Sequence, residues 1–229
     1  MASDDEAQDF LAFGHNLVEP RDIKVSGEAL IDFDGLLAPP LRLHEDLAEG
    51  CGGQLWPAGM VLAKYMLRHK DLIKNKTIIE LGAGGGLVGL AIAVASQAAF
   101  QKPLHITDQI PMLALMQKNI ALNGLQENVV ASVYDWGTPP PANIPNKPDV
   151  VLAADCVYFE PAFPLLQKTM KDLIGDSTVC YFCFKKRRRA DMHFIKGIKK
   201  MFNVEEVNDD PDKAIYGREN IFLLKITKR

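Results

Sequence analysis

A short glycine-rich segment constrains this chain more than any other part of its sequence. Residues 80–86 read Glu-Leu-Gly-Ala-Gly-Gly-Gly. The β-branched run at residues 77–79 is typical of a buried strand, and the apolar run at residues 87–96 is typical of a helix. The glycines therefore predict a strand-to-helix turn, because glycine accepts positive φ and lets a ligand approach the backbone. Unpaired N–H groups at the start of the helix favour a charged ligand over this turn.

Two classes of cofactor use such a turn. Residues 84–89 fit the dinucleotide fingerprint G-x-G-x-x-G, and Asp108 lies near the offset of roughly 20 residues expected of a ribose-binding acid. Glu80 argues against a dinucleotide, because a carboxylate just before the turn would repel a pyrophosphate. The same carboxylate suits an ammonium group, and S-adenosylmethionine carries an ammonium and a sulfonium but no phosphate. A turn kept only for close packing of helix on strand is the alternative.

The remaining elements alternate as a doubly wound α/β fold requires. Further strands are predicted at residues 105–108, 129–134, 150–154 and 178–184, with an antiparallel pair at residues 204–207 and 221–227. Further helices are predicted at residues 56–67, 111–123, 161–174 and 191–201. Alternating patches at residues 23–25 and 30–33, separated by residues 26–28, predict an N-terminal accessory hairpin. We therefore expect a Rossmann-like seven-stranded sheet with helices on both faces.

Length and composition fit one enzyme domain. The chain has 229 residues and 48% hydrophobic content, which can supply one sizeable core. We expect a flexible arm at residues 1–22 and a single domain at residues 23–229. This leaves little room for the second domain that a nicotinamide dehydrogenase usually needs. The net charge of −3 gives the chain no generic attraction to nucleic acid.

The cysteines and the first residues favour a reducing compartment. Cys51, Cys156, Cys180 and Cys183 lack the two paired C-x-x-C spacings of a zinc site, so no metal is expected. Cys180 and Cys183 lie in an apolar run, where free cysteine commonly acts as a small hydrophobe. The N-terminus lacks the segments of a secretory signal, and no apolar run is long enough to cross a bilayer. We expect a cytoplasmic monomer without a membrane partner.

Several short motifs together resemble one enzyme family. Residues 80–86 resemble the E-x-G-x-G-x-G motif of seven-stranded S-adenosylmethionine-dependent methyltransferases. Residues 54–59 (Gln-Leu-Trp-Pro-Ala-Gly), 135–137 (Asp-Trp-Gly) and 154–158 (Ala-Asp-Cys-Val-Tyr) resemble methyltransferase family 16, whose members mostly methylate lysines of particular proteins. The resemblance extends from about residue 41 to the C-terminus. The compact length and the ending resemble fungal members that modify a lysine of translation elongation factor 1A, which is therefore the expected protein partner.

The acids and glycines near the turn are the first candidates for binding the cofactor. Glu80 is expected to accept a hydrogen bond from the methionine ammonium, directly or through water. Gly82 and Gly84 permit close approach of the cofactor. Asp108 resembles the ribose-binding acid of the family, since its two oxygens can accept both hydroxyls. A helix-capping aspartate is the alternative for Asp108.

Further cofactor-binding candidates follow from the resemblance. Trp136 is expected to cover the adenine face, with Asp135 near an amino or amide donor, although a core tryptophan is an equal alternative from the residues alone. Trp56 has the same ambiguity, and its Pro-Ala-Gly context resembles a helix start that faces the cofactor. Ala154 is expected in the cofactor site because it opens the motif at residues 154–158.

Asp155 and Tyr158 are the candidate catalytic residues. A lysine ammonium has a reference pKa near 10.4 and must lose a proton before it can attack a methyl group. Asp155 is expected to orient the amine, and Tyr158 to form part of an aromatic wall. The motif departs from the Asn-Pro-Pro-Tyr pattern of many adenine and glutamine methyltransferases, which argues against a base or amide substrate. A strand-ending aspartate followed by a packed tyrosine is the alternative.

The basic run at residues 185–189 is the clearest charge feature. It can recognise an acidic protein surface, steer an RNA-associated partner or act as a nuclear signal, and it can equally be a solvated helix start or be tied into the fold. The overall prediction is a protein-lysine N-methyltransferase. The alternatives are a methyltransferase for another protein, a small molecule or nucleic acid, with nucleic acid not favoured, and a noncatalytic nucleoside-binding module.

Overall fold

A seven-stranded sheet forms the centre of the computed structural model, which describes residues 26–46, 51–96 and 103–229. A separate antiparallel hairpin comprises β1 (Gly27–Ile31) and β2 (Leu41–Glu45). The strands of the central sheet are β3 (Ile78–Leu81), β4 (Leu104–Asp108), β5 (Val129–Val133), β6 (Val150–Ala154), β7 (Val179–Lys185), β8 (Phe202–Glu206) and β9 (Ile221–Lys228). Their spatial order is β5-β4-β3-β6-β7-β9-β8, which confirms the predicted seven-stranded sheet.

Helices cover both faces of this sheet. The helices are α1 (Pro57–Arg68), α2 (Leu87–Ser96), α3 (Ile110–Leu122), α4 (Phe163–Leu173), α5 (Arg189–Met201) and α6 (Lys213–Arg218). Buried side chains of α1, α2 and α3 pack in one core with the β1–β2 hairpin, whereas those of α4 and α5 pack in a second core on the opposite face. Two cores that share one sheet explain why β3 and β6 are buried on both faces.

The strand order reverses at the centre of the sheet. From β3 the chain moves outward through β4 to β5, and it then returns to β6 on the other side of β3. All neighbouring strands are parallel except β9, which is antiparallel to β7 and β8 as expected. Open α/β sheets bind ligands beyond the carboxyl ends of the strands at such a reversal. The topology therefore brings the ends of β3, β4, β5 and β6 to one site.

The hairpin exists, but its predicted strands were wrong. Residues 27–28, expected between the strands, lie in β1, and the partner strand is β2. Phe33 and Asp34 have φ values of 54° and 59°, so the chain turns where the second strand was predicted. Buried Phe33 and Leu37 fill the core beneath this turn, which explains the apolar pattern that suggested a strand. The predicted strand at residues 23–25 and the arm at residues 1–22 lie outside the described residues.

Helix α2 approaches the sheet very closely at Gly89. A Cβ atom there would lie 2.5 Å from Ile106 Cγ2 and 2.7 Å from Glu80 Oε2. The Gly89 N–H donates a hydrogen bond of 2.8 Å to Glu80 Oε2. Gly89 is the third glycine of the G-x-G-x-x-G pattern, a position that serves close helix-to-strand packing. The predicted packing role of the glycines is thus real at this position.

Replacement of Gly89 by alanine should destabilise the protein. The added methyl group must displace Ile106 or Glu80, and overpacking of a core typically costs about 1–3 kcal/mol. The free energy of unfolding, measured by urea denaturation, checks this expectation. The matched control is Gly217→Ala, because a Cβ at Gly217 in α6 meets no atom within 4 Å. Equal stability of the two variants would show that α2 can move away from the sheet without cost.

Candidate active site

The glycine turn is packed tightly against other parts of the protein. Gly82 and Gly84 have φ values of 61° and 54°, which non-glycine residues rarely adopt. A Cβ atom at Gly82 would lie 2.9 Å from both Cys156 Sγ and Trp136 Cζ2, and one at Gly84 would lie 2.3 Å from the carbonyl oxygen of Gly52. Side chains at either glycine are therefore excluded by the protein itself as well as by backbone angle.

Glu80 lies beneath the first turn of α2. Its side chain is 2% exposed, and its Oε2 accepts the hydrogen bond from Gly89. Burial raises the pKa of Glu80 to about 8, the bond from Gly89 opposes this shift, and the charge of Asp108 adds to it. The structure thus gives Glu80 a clear part in holding α2. Its contact with the methionine ammonium of a cofactor stays a prediction.

Asp108 holds the glycine turn from the side. Its Oδ2 accepts the N–H of Gly84 at 2.7 Å, and its Oδ1 accepts the N–H of Gln109 at 2.7 Å. Burial raises the pKa of Asp108, against the effect of these two bonds. Gln109 is the N-cap residue of α3 and has no side-chain cap, so Asp108 does not cap this helix. Each oxygen of Asp108 can accept a further bond, and the ribose contact stays a prediction.

The loop after β5 places Trp136 over the glycine turn. Trp136 is half-buried, and the edge of its ring faces Gly82. Gly137 has a φ of 85° and donates a hydrogen bond of 2.9 Å to Thr169 Oγ1 on α4, which fixes the loop. Asp135 is exposed and raises the pKa of Asp108 by its charge, so it also lies at this edge. Trp136 belongs neither to the deep core nor to the open surface.

Asp155 sits at the end of β6, directly after half-buried Ala154, and pairs with Arg187. Asp155 is 8% exposed and has a φ of 53°. Two nitrogens of the Arg187 guanidinium donate to the two carboxylate oxygens, each at 3.1 Å, and the N–H of Lys185 donates to Oδ1 at 2.9 Å. The same guanidinium lies over the ring of Trp56, 5.2 Å from its centroid. Arg187 therefore joins two candidate site residues from different elements.

The loop beyond Asp155 is open to solvent. Tyr158 is 54% exposed and Phe159 is 56% exposed, although both are large and aromatic. Leu165, at the start of α4, is also exposed and packs against Gly137. The alternative of a packed Tyr158 is therefore wrong. Exposed apolar side chains beside a cleft are typical of surfaces that bind a partner.

Part of the basic run forms ion pairs within the fold. Arg187 pairs with Asp155, Arg188 pairs with Asp191 in a capping box at the start of α5, and Lys185 lies 3.7 Å from Glu219. These contacts confirm the alternative that part of the run is tied into the fold. Lys186 and Arg189 are exposed at the same edge of the sheet.

Charge in the cleft favours a cationic cofactor. The pKa of the buried Cys156 thiol is raised well above its usual value by burial and by the charges of Asp108, Asp155 and Glu80. These three carboxyl groups therefore lie near one thiol, close to the reversal point between β3 and β6. A phosphate-rich dinucleotide would meet repulsion here, whereas the ammonium and sulfonium of S-adenosylmethionine are complementary. A cavity of about 610 Å³ lies at the opposite edge of the sheet, beside Gly175 and Phe202, and plays no part in this site.

Sequence reasoning missed one buried contributor to the turn. The side chain of Asn119 on α3 donates a hydrogen bond of 2.9 Å to the carbonyl oxygen of Gly85. The only sign of this contact in the sequence was a pair of asparagines four residues apart, Asn119 in a largely apolar helix and Asn123 just after its end. Arg187 was considered only as one member of a basic run. Its carboxylate partner lies 32 residues away, beyond the reach of local patterns.

Replacing Glu80 by glutamine should change how stability depends on pH. In the folded protein Glu80 keeps its proton up to about pH 8, whereas an unfolded glutamate loses it near its ordinary value of 4.5. The folded state therefore binds more protons between these values, so the contribution of Glu80 to stability falls as pH rises through this window. Glu80→Gln should flatten the fall in unfolding free energy between pH 5 and pH 8, measured by urea denaturation. An unchanged slope would show that Glu80 does not titrate in this pH window.

Comparisons with known proteins agree with this geometry. Residues 37–201 match a family described as lysine methyltransferase. The chain is 37% identical to the protein-lysine N-methyltransferase EFM6 of Saccharomyces cerevisiae, over 96% of this chain and 98% of that protein. It is 31% identical to the protein N-lysine methyltransferase METTL21A of Danio rerio, over 82% and 94%. It is also 31% identical to EEF1A lysine methyltransferase 3 of Xenopus tropicalis, over 73% and 74%.

Solved structures share the fold at low sequence identity. The pyocyanin biosynthetic protein PhzM has a TM-score of 0.56 and 14% identity, covering 74% of this chain and 55% of that one. Fibrillarin of Aeropyrum pernix, solved in complex with S-adenosyl-L-methionine, has a TM-score of 0.50 and 13% identity, covering 67% of each chain.

The described ranges contain no candidate for a membrane span or for a metal site. No helix there combines the length and apolar character that a membrane span requires. The same residues contain no group of three or more His, Cys, Asp or Glu side chains placed to hold a metal ion. The family match and the sequence identity to named enzymes over most of the chain lead to one conclusion. This chain belongs to the lysine methyltransferase family and is an S-adenosylmethionine-dependent protein-lysine methyltransferase.

Proposed function

We propose that this enzyme methylates a lysine of translation elongation factor 1A. Support for this substrate comes from relatives named EEF1A lysine methyltransferase 3, from Xenopus tropicalis and from Mus musculus, the latter 32% identical over 71% of this chain. The proposed setting is the cytoplasm, since Cys156, Cys180 and Cys183 are free and buried, as suits a reducing compartment. The proposed unit is a monomer with one domain at residues 23–229, since one chain carries both the cofactor turn and the acceptor residues.

The proposed cofactor residues surround the glycine turn. Gly82 and Ala154 provide half-buried backbone, and Gly84 provides backbone that is buried against Gly52. Glu80 provides a buried carboxyl group, Asp108 a half-buried one and Asp135 an exposed one. Trp136 and Trp56 provide aromatic surfaces on either side. When bound, S-adenosylmethionine supplies an electrophilic methyl group on a sulfonium. A cation beside these carboxyl groups favours their ionised form, which makes the site more complementary to that sulfonium than to a neutral cofactor.

The observation that carries the lysine chemistry of this proposal is the pairing of Asp155 with Arg187. An isolated carboxylate beside the substrate would stabilise a protonated lysine and raise its pKa, which would oppose attack on the methyl group. Arg187 offsets this charge. Asp155 Oδ2 accepts one hydrogen bond from Arg187 and retains a position that can accept a bond from the neutral amine. The pair can therefore orient the nitrogen without holding its proton.

Backbone geometry also marks Asp155 as a functional residue. A positive φ is uncommon outside glycine, and such residues cluster at active sites where surrounding contacts maintain them. The contacts from Lys185 and Arg187 maintain it here. Tyr158, three residues further on, is exposed at the same edge and is the proposed aromatic wall for the lysine stem.

Replacing Arg187 by glutamine should shift the pH dependence of methyl transfer. Without the guanidinium, Asp155 favours the protonated lysine, so the rise of kcat with pH should move upward by about one unit or less, given the partial exposure of Arg187. The measurement is kcat on intact substrate from pH 6 to pH 10. The matched control is Arg188→Gln, which breaks the pair with Asp191 but leaves Asp155 untouched. A profile identical to the parent's would remove Arg187 from the chemistry.

The surface around the cleft suits a folded protein substrate. Phe159 and Leu165 offer apolar area on one side of the opening. Lys186 and Arg189 offer positive charge beyond the end of the neighbouring strand β7. We propose that an acidic surface beside the target lysine meets these cations, because complementary charge accelerates association of protein partners.

The test is transfer of labelled methyl groups to purified, folded elongation factor 1A and to a lysate from cells that lack the enzyme. We expect label in that one protein and little label in a short lysine peptide. Reversing two charges with Lys186→Glu and Arg189→Glu should lower kcat/KM on the intact protein, with a larger loss at low ionic strength. The control is Lys70→Glu with Lys74→Glu, which changes net charge equally at the amino edge of the sheet.

Each contrary outcome has a distinct meaning. Label in a different single protein would reject elongation factor 1A and keep the lysine chemistry. Label in RNA, nucleosides or small molecules with none in protein would reject a protein substrate. Cofactor binding without transfer to any cellular fraction would indicate a noncatalytic module. Equal losses from the two double reversals would remove Lys186 and Arg189 from substrate recognition.

A further inference from the structure

Two asparagines bind the open edge of the β1–β2 hairpin: Asn119 in α3 and Asn123, the residue that follows the end of α3. Strand β2 pairs with β1 on one side only, which leaves the N–H and C=O of Arg42 and His44 on the other side. Asn123 accepts from the Arg42 N–H at 3.0 Å and donates to the Arg42 carbonyl at 2.7 Å. Asn119 accepts from the His44 N–H at 2.8 Å and donates to the His44 carbonyl at 3.1 Å. The side-chain amides thus take the place of a third strand.

Only one of these two asparagines also reaches the glycine turn. Asn119 is fully buried, and its amide nitrogen donates its second hydrogen bond, of 2.9 Å, to the Gly85 carbonyl. The amide nitrogen of Asn123 instead donates its second hydrogen bond to the backbone carbonyl of Asn119, at 2.8 Å. The hydrogen-bonding capacity of the Asn119 amide nitrogen is then used in full. A single buried side chain therefore connects the hairpin, α3 and the turn.

The hairpin reaches the cofactor side at a second point. Glu45, the last residue of β2, accepts the N–H of Leu55 at 3.1 Å. Asp46 donates its N–H to the carbonyl of Gly53 at 3.2 Å. These bonds hold the segment that leads into Trp56. The hairpin therefore contacts the chain on both sides of the cofactor region, although it lies outside the central sheet.

We propose that Asn119 is a positioning residue for cofactor binding, through which the β1–β2 hairpin holds the glycine turn in its binding conformation. Glycine loses more conformational freedom on ordering than any other residue, so a turn with three successive glycines needs external contacts to stay in one conformation. Asp108 supplies such a contact at Gly84, and Asn119 supplies one at Gly85. If only part of the population keeps the binding conformation, the apparent Kd rises in proportion. This inference rests on the use of S-adenosylmethionine by the family and not on elongation factor 1A as substrate.

The test compares the two asparagines. Asn119→Ala should raise the Kd for S-adenosylmethionine, measured by calorimetry without any protein substrate, by about 5- to 20-fold, which is within the cost of leaving the buried Gly85 carbonyl without its hydrogen-bond donor. Asn123→Ala should lower the melting temperature in the same way, because it also releases β2, but should leave the Kd within about twofold of the parent value. Asn119→Leu and Asn123→Leu form a second pair that retains more side-chain volume and separates lost hydrogen bonds from an empty space.

Hydrogen exchange distinguishes a positioning role from a general loss of stability, because it measures the opening of the glycine turn itself. Without cofactor, the amides of residues 84–86 should exchange faster in the Asn119 variants than in the Asn123 variants of equal melting temperature. Added S-adenosylmethionine should restore slow exchange. The proposal is overturned if the folded Asn119 variants bind the cofactor as tightly as the parent, or if both asparagines weaken binding equally.

Discussion

The buried carboxyl group of Glu80 determines where the helix after the glycine turn can lie. Its bond to the N–H of Gly89 brings α2 so close to the sheet that no side chain fits at Gly89. With α2 fixed, the turn that precedes it has little freedom, and Asp108 and Asn119 hold the two glycines in its middle. The position of the cofactor region thus depends on one acid that sits beneath it.

The same acids create the electrostatic character of the site. Glu80, Asp108 and Asp155 act together on the buried Cys156 thiol, and burial keeps the pKa of the first two above their usual values. A cationic cofactor favours the ionised form of these acids, whereas a pyrophosphate would oppose it. Arg187 offsets the negative charge of Asp155, where the neutral amine of the substrate is proposed to bind. Binding of the cofactor and orientation of the acceptor therefore require different local charge within one cleft.

Selectivity for a protein substrate has a separate origin. The fold places exposed aromatic residues after β6 and exposed cations after β7, on neighbouring strands at one edge. The β1–β2 hairpin, by contrast, packs against α2 and α3 and supports the cofactor turn. The hairpin is thus bound to the catalytic core by hydrogen bonds from side-chain amides, which links its position to cofactor affinity in our proposal.

Local sequence determined the strand-to-helix glycine turn, all seven central strands and the five longer helices, because periodicity and turn chemistry act over a few residues. Local sequence did not predict the short helix α6, because six residues carry little periodicity. It also did not predict the register of the hairpin, because the chain turns at Phe33 within an apolar patch. The residues of the candidate site were also visible as motifs. Only the tertiary structure decided their partners: Asn119 meets Gly85 across 34 positions and Arg187 meets Asp155 across 32. Such contacts depend on the direction in which packing points each side chain, which no local pattern records.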